Sequence, residues 1–246
     1  MKAIIMNSGV GRRMRPLTDK NPKCLIQVNG KTILGLEVEN LLHYGIKDVI
    51  ITVGHLHENI KKFMTENFPE VNAAYVRNPR YESTNTVYST WLVKDLADDD
   101  VIYMHGDMVF ERELLGKLLK SKNKSCVLVN SKIKETKDFK CRVENNLVKE
   151  IGVKVSGENT FFMPPVYKFS KGDFKILMDE IEKFVEQGNN SVYAEDAFNK
   201  VSGRIKLHPV FYEDELCMEI DDVNDLSTAR EFFSKKNHNL SYNPPI

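Results

Sequence analysis

The chain has 246 residues, 41% hydrophobic and 28% charged, with 35 Lys plus Arg set against 35 Asp plus Glu. Zero net charge leaves no basic footprint of the kind nucleic-acid binding requires, so nucleic acid is not expected as a partner. No apolar run approaches the ~20 residues of a membrane span, and the length suits one large α/β domain or two small ones.

Lys2 to Met6 is a short apolar run, as expected of a strand buried in a parallel sheet. It lacks a secretory leader's charged start and longer apolar core. Cys24, Cys126, Cys141 and Cys217 are widely spread with no C-x-x-C pair. Reduced thiols in a cytoplasmic protein are the expectation. Asn7-Ser8-Gly9-Val10-Gly11 follows the strand, and then the cations Arg12, Arg13, Arg15 and Lys23. Small residues let a backbone turn tightly and bring its N–H groups toward phosphate oxygens. Strand, glycine loop and fixed positive charge together point to a polyphosphate site. It is not a Walker A loop, because Gly-Lys-Ser/Thr is absent, nor a dinucleotide fingerprint, because Met14 stands where the third glycine belongs.

Thr32 to Tyr44 has the apolar spacing of an amphipathic helix closed by Gly45. Asp48 to Val53 reads as a strand, about Glu58 to Asn67 as a helix and Asn72 to Val76 as a strand. This alternation predicts an open parallel sheet with helices on both faces. The polar stretch Tyr81 to Thr86 precedes a helical pattern from Val87 to Leu96. Ser83 or Thr84 suits its N-cap, and the same loop could read a nucleotide base. Val101 to Asp107 is a strand ending in Gly-Asp, and ligands of open α/β sheets collect at the carboxyl ends of strands. Asp107 is then either an N-cap for a helix over Glu111 to Leu119 or a Mg²⁺ ligand, and spacing alone does not separate the two.

Strands are expected over Ser125 to Asn130, Lys140 to Val143, Leu147 to Val153 and Thr160 to Phe169, with a hairpin around Glu144-Asn145-Asn146. Asp173 to Gln187 is an amphipathic helix, and Ser191 to Phe198 opens another. Glu195 and Asp196 at its start suit the helix dipole, and equally could receive a substrate ammonium with Tyr193 as an aromatic wall. An acidic cluster, Glu219 to Asp225, precedes a helix to about Phe233, with Asp222 placed to cap it. Residues 1–234 are read as one domain and 235–246 as a coil tail or linker. His55 and His57 have no carboxylates spaced for zinc, and no Ser-His-Asp set can be assembled.

The string Gly9-x-Gly11-x-Arg13-Met14-x-Pro16-Leu17-Thr18, followed by Pro22-Lys23, resembles the signature of nucleotidylyltransferases that activate sugar phosphates and phosphocholine-like compounds. Met6-Asn7-Ser8-Gly9 stands where Leu-Ala-Ala-Gly is usual, and Arg12 where Ser or Thr is common. Tyr81, Asn85, Tyr88 and Ser89 match a Tyr-x-x-x-Asn-x-x-Tyr-Ser segment of phosphocholine-type cytidylyltransferases. Glu219-Ile220-Asp221 with Asp225 matches the family's closing Glu-Ile-Asp-x-x-x-Asp. Gly152-Val153-Lys154 departs from the Glu-Lys-Pro of sugar-nucleotide enzymes.

The resemblance runs roughly from Lys2 to Phe233. It implies a Rossmann-like, mostly parallel sheet flanked by helices, with a small inserted acceptor-binding subdomain. It implies Mg²⁺-dependent transfer of CMP from CTP to a small zwitterionic phosphonate or phosphate, either 2-aminoethylphosphonate or phosphocholine, with release of pyrophosphate. Arg13 and Lys23 would be catalytic, and Asn7, Ser8, Gly9, Gly11, Thr84 and Asn85 would hold the nucleotide. Asp107 and Asp221 would hold Mg²⁺, while Lys154, Tyr193, Glu195 and Asp196 would take the acceptor. One alternative is a sugar-1-phosphate nucleotidylyltransferase. The other is a non-catalytic regulatory module of the same fold, against which the joint presence of Arg13, Lys23, Asp107 and Asp221 argues. A homodimer, or fusion to another module through the tail, is compatible with this reading.

Overall fold

A computed structural model of the chain describes residues 1–133 and 137–240, with side chains through residue 235. In chain order the elements are β1 (Lys2–Asn7), β2 (Gln27–Val28), β3 (Lys31–Thr32), α1 (Ile33–His43), β4 (Asp48–Val53), α2 (His57–Asn67), β5 (Asn72–Arg77), α3 (Thr86–Trp91), β6 (Val101–His105), β7 (Met108–Phe110) and α4 (Arg112–Lys120). There follow β8 (Ser125–Asn130), β9 (Lys140–Glu144), β10 (Leu147–Gly152), β11 (Thr160–Phe162), β12 (Val166–Phe169), α5 (Lys171–Glu186), α6 (Ala194–Val201), β13 (Leu207–Tyr212), β14 (Cys217–Glu219) and α7 (Val223–Leu240).

Ten strands form one mixed sheet in the order β10-β9-β11-β8-β12-β6-β1-β4-β5, with β13 on β8. Neighbours β6, β1, β4 and β5 are all parallel, as the strand–helix alternation of the first half requires. The antiparallel pairs gather in the second half, where β12 runs against both β6 and β8. Strands β9, β10 and β11 continue the same sheet at its far edge. The β9–β10 turn carries Asn145 and Asn146 at φ 49 and 59, the left-handed pair that a tight hairpin turn demands. One strand was expected from Thr160 to Phe169, but the chain breaks it in two at Pro164 and Pro165, which have no N–H for a ladder.

Alternation along β1 sends Ile4 and Met6 to one apolar layer and Ala3 and Ile5 to the other, so the sheet is covered on both faces. A smaller cluster of Met14, Ile26, Val28, Ile33, Val109, Ile220 and Leu226 packs the glycine loop, α1, the β7–β14 ribbon and α7 together. Thr32 caps α1 by accepting the Gly35 N–H at 3.0 Å. The helix expected to stop near Phe233 continues to Leu240, so residues 235–240 of the expected coil tail are helical, and 241–246 lie outside the described residues. Among the described residues no helix is long and apolar enough to cross a membrane.

Candidate active site

A cleft of about 530 Å³ opens over the carboxyl ends of the parallel strands, where this sheet architecture collects ligands. Asn7 ends β1 and Ser8, Gly9 and Gly11 continue its rim, with Arg13 and Lys23 beyond them. Asn7 and Ser8 are 8% and 7% exposed, yet Asn7 Nδ2 and Ser8 Oγ are buried without a partner in the protein. Buried polar groups of that kind are normally satisfied, so these two suit a polar ligand. Two glycines are required by contact. Gly11 has φ +67, and a Cβ there would sit 3.0 Å from the Lys23 and Thr18 side chains. At Gly106 a Cβ would come within 2.0 Å of Asn7 Oδ1.

Opposite the loop, Asp107 follows β6 and Asp221 follows β14, 114 positions apart in the chain. The β7–β14 ribbon brings them together, since Met108 pairs with Glu219 and the Ile220 N–H donates to the Asp107 carbonyl at 2.9 Å. Lys23 Nζ lies between the two carboxylates, 2.6 Å from Asp107 Oδ2 and 2.8 Å from Asp221 Oδ1. Arg13 adds a 2.8 Å contact to Asp221 Oδ2 from the solvent side. Burial opposes the Lys23 charge, but Asp107 and Asp221 outweigh it and hold the ammonium protonated. Burial likewise opposes ionisation of Asp107, and Lys23 overcomes it, so that carboxyl titrates below its usual range. Asp107 is not the helix cap that was the other reading, because Glu111 occupies the N-cap of α4.

The donor set fits a hard divalent cation. Asp107 Oδ1 is buried without a partner, and both aspartates already gather one positive charge. Hard carboxylate oxygens are what Mg²⁺ takes. Asp222 caps α7 by accepting the Asn224 and Asp225 N–H groups, while Asp225 Oδ2 accepts the N–H groups of Asp221 and Asp222. Lys137 pairs with Asp222 and Asp225 at 2.9 Å each.

Thr84, Asn85 and Tyr193 also line the cleft. The cap of α3 is Asn85, not Ser83 or Thr84, and its Oδ1 accepts the Thr86 N–H. Thr84 Oγ1 is occupied twice, donating to the Arg80 carbonyl and accepting from Asn78. Tyr193 packs edge-on against Phe139 with ring centroids 4.9 Å apart.

Three residues expected at the acceptor are elsewhere. Lys154 is exposed and outside the cleft lining. Asp196 faces its own helix, where its carboxylate accepts the Tyr193 N–H at 2.9 Å. Glu195 is 3% exposed on the core side of α6, where it accepts the Tyr167 hydroxyl at 2.9 Å and stands 3.5 Å from His105 Nε2. Burial opposes ionisation of both partners, yet each charge sustains the other: Glu195 is lowered and His105 pushed up to about 9. An ion pair under the floor of the cleft is therefore what Glu195 makes.

Besides Asp107 and Asp221, the carboxylates that line the cleft are Asp138 and Glu219. One carboxylate oxygen from each of Asp138, Glu219 and Asp221 lies within 4.8 Å of the others. Glu219 Oε1 is buried without a partner, and burial, then Asp107, pushes its carboxyl above the ordinary range. Glu219 was legible as part of the closing acidic motif, whereas Asp138 and Phe139 sit in no motif and carry no local signal.

The sequence profile of the family described as nucleotidyl transferase matches residues 2–141. Choline-phosphate cytidylyltransferase of Streptococcus pneumoniae is 42% identical over 103 residues, 42% of this chain and 43% of that protein. 2-Aminoethylphosphonate cytidylyltransferase of Lancefieldella rimae is 28% identical over 229 residues, 92% of this chain and 90% of that one. The chain spans less than half the length of two of the curated relatives it matches, 43% of one and 20% of another. A solved CTP:phosphocholine cytidylyltransferase from Streptococcus pneumoniae superposes with a TM-score of 0.80, covering 94% of this chain and 98% of that one at 24% identity, which speaks to the fold. With more than half its length matched by the profile, this chain belongs to the nucleotidyl transferase family.

Proposed function

We propose that this protein transfers CMP from CTP to the phosphonate or phosphate oxygen of a small zwitterionic acceptor, releasing pyrophosphate, with 2-aminoethylphosphonate as the favoured acceptor. The observation that carries it is the cleft in which Lys23 sits between two strand-end aspartates, opposite a glycine loop with orphaned polar groups. CTP as donor rests on the activities named for the relatives.

In the reaction, an acceptor oxygen attacks the α-phosphorus, the new P–O bond forms, and the bond to the bridging oxygen breaks with its electrons leaving on pyrophosphate. The attacking oxygen is already an anion, so no general base is needed. The chain must instead bring anions together and hold still the charge that moves. Asn7, Ser8 and the loop amides bind the nucleotide. Lys23 orients the α-phosphate or the acceptor group, and Arg13 faces the departing pyrophosphate. Asp107 and Asp221 would hold Mg²⁺, which supplies charge neutralisation at the α-phosphate.

The acceptor's cation is assigned to Glu219 and Asp138, walled by Tyr193 and Phe139, in place of Glu195 and Asp196. A primary ammonium donates hydrogen bonds and suits the unpartnered Glu219 oxygen. The two rings are the feature that a trimethylammonium would use instead. Pyrophosphate release across four nucleoside triphosphates, each with 2-aminoethylphosphonate, phosphocholine and glucose 1-phosphate, tests the reading. Turnover is expected with CTP and highest with 2-aminoethylphosphonate. Highest turnover with glucose 1-phosphate would overturn the acceptor class.

A further inference from the structure

One fully buried carboxyl has no part in that chemistry. Glu37, on α1, is 0% exposed and does not line the cleft. Its Oε1 accepts the Met108 N–H at 3.2 Å, and its Oε2 is buried with no partner. One turn further along the same helix, Asn40 is 7% exposed and donates from Nδ2 to the Phe110 carbonyl at 3.1 Å. Two polar side chains at i and i+3 thus grip the first and last residues of β7.

We propose that Glu37 is a positioning residue for the paired aspartates, fixing through the Met108 amide the turn that carries Asp107. The proposal rests on the reading of Asp107 and Asp221 as the cation-holding pair. β7 is three residues long and its ladder partner is the equally short β14, so hydrogen bonding within the ribbon offers little resistance to sliding. Packing of Met108, Val109 and Phe110 is apolar, and apolar contact is non-directional. The grip from α1 supplies the missing direction. It also acts on both aspartates at once, because the Ile220 N–H is bonded to the Asp107 carbonyl and Asp221 follows directly. A carboxyl is a costly choice at a site where a leucine of similar size would pack, since burying a polar group costs free energy unless it is hydrogen-bonded. Only one of its oxygens is repaid by the Met108 amide. The Met108 N–H needs only an acceptor oxygen, and a glutamine carries the same oxygen.

Three variants test this: Glu37→Gln, which keeps the acceptor, Glu37→Leu, which removes it, and Asn40→Leu at the other end of the grip. Mn²⁺ affinity by paramagnetic resonance, kcat and KM for CTP are measured beside far-UV circular dichroism. For Glu37→Leu we expect Mn²⁺ affinity and kcat each to fall by about tenfold or more, with KM for CTP within about twofold, as for residues that orient metal ligands. Glu37→Gln should stay within about threefold of the parent on every readout. A folded Glu37→Leu protein with unchanged Mn²⁺ affinity and kcat overturns the proposal, and so does a Glu37→Gln protein as impaired as the leucine variant. If Glu37→Leu does not fold, Asn40→Leu decides: weaker Mn²⁺ binding supports the grip and unchanged binding overturns it. Mn²⁺ affinity that is the same after Asp107→Asn would refute the metal reading itself, and the kcat comparison would still decide Glu37.

Discussion

Glu195 and Asp196 are neighbours in sequence with unrelated fates. Asp196 closes a capping interaction with the Tyr193 amide, and Glu195 turns into the core against Tyr167 and His105. The fate of Glu195 was partly legible. It lies three positions before Phe198, on the same flank as the buried Ala194, Ala197 and Val201. An isolated carboxylate in that position needs a cationic partner, and His105, ninety residues away, could not be paired with it from spacing. Asp196→Ala should therefore cost about 1 kcal/mol of stability, as loss of an N-terminal helix interaction does, and leave acceptor KM unchanged. Thermal unfolding and steady-state kinetics check both halves. Glu219→Leu, which removes the acceptor oxygens, should do the reverse. Hydrogen bonds to charged groups are worth about 1.5–3 kcal/mol, so the KM for 2-aminoethylphosphonate should rise roughly tenfold or more while KM for CTP stays put. An unchanged acceptor KM would remove Glu219 from the acceptor pocket. Arg13 and Lys23 make a further contrast. Lys23 is held by two half-buried carboxylates, whereas the Arg13 side chain is 66% exposed with one ion pair. Lys23→Ala should lower kcat by more than Arg13→Ala, read from saturating-substrate rates.

Among elements, those with a local signal match expectation closely: β1, α1, β4 and the Asn145-Asn146 hairpin follow from apolar runs, periodicity and turn residues. The β7–β14 ribbon has no such signal. Each strand is three residues long, and their pairing joins residues 108–110 to 217–219, a contact that no local pattern encodes. Yet this ribbon places both aspartates. The loop before it is equally constrained by close approach, because Gly106 lies against the Asn7 side chain. Gly106→Ala must push Asn7 or the Asp107 turn aside. We expect kcat/KM for CTP to fall about tenfold or more, in the range seen when an orienting residue moves a reacting group. Melting should drop only modestly, by about 1–3 kcal/mol of overpacking. An alanine variant with parental kcat/KM would mean that the turn and Asn7 can separate without consequence.

At the scale of the whole molecule, the sheet solves a problem of distance. The glycine loop, the Asp107 turn and the Asp221 segment come from the first, middle and last parts of the chain, and a single sheet with its attached ribbon sets them around one cleft. The composition of the chain said only that it would be globular with no net basic charge, and the α/β class came from the strand–helix alternation. The motif string from Gly9 to Lys23 carried the site, since closely spaced glycines and cations have a physical reason to coincide. The grouping of Asp138, Phe139, Tyr193 and Glu219 along the cleft was hidden because they converge from three separate stretches. The measurement that tests the central claim most directly is phosphorus NMR of the protein with CTP, 2-aminoethylphosphonate and Mg²⁺. The account predicts that the three CTP resonances decline as pyrophosphate grows, while a mutually coupled pair appears from the new anhydride between the CMP phosphate and the phosphonate. Persistent CTP with no coupled pair, in the presence of this acceptor and of phosphocholine, would contradict it.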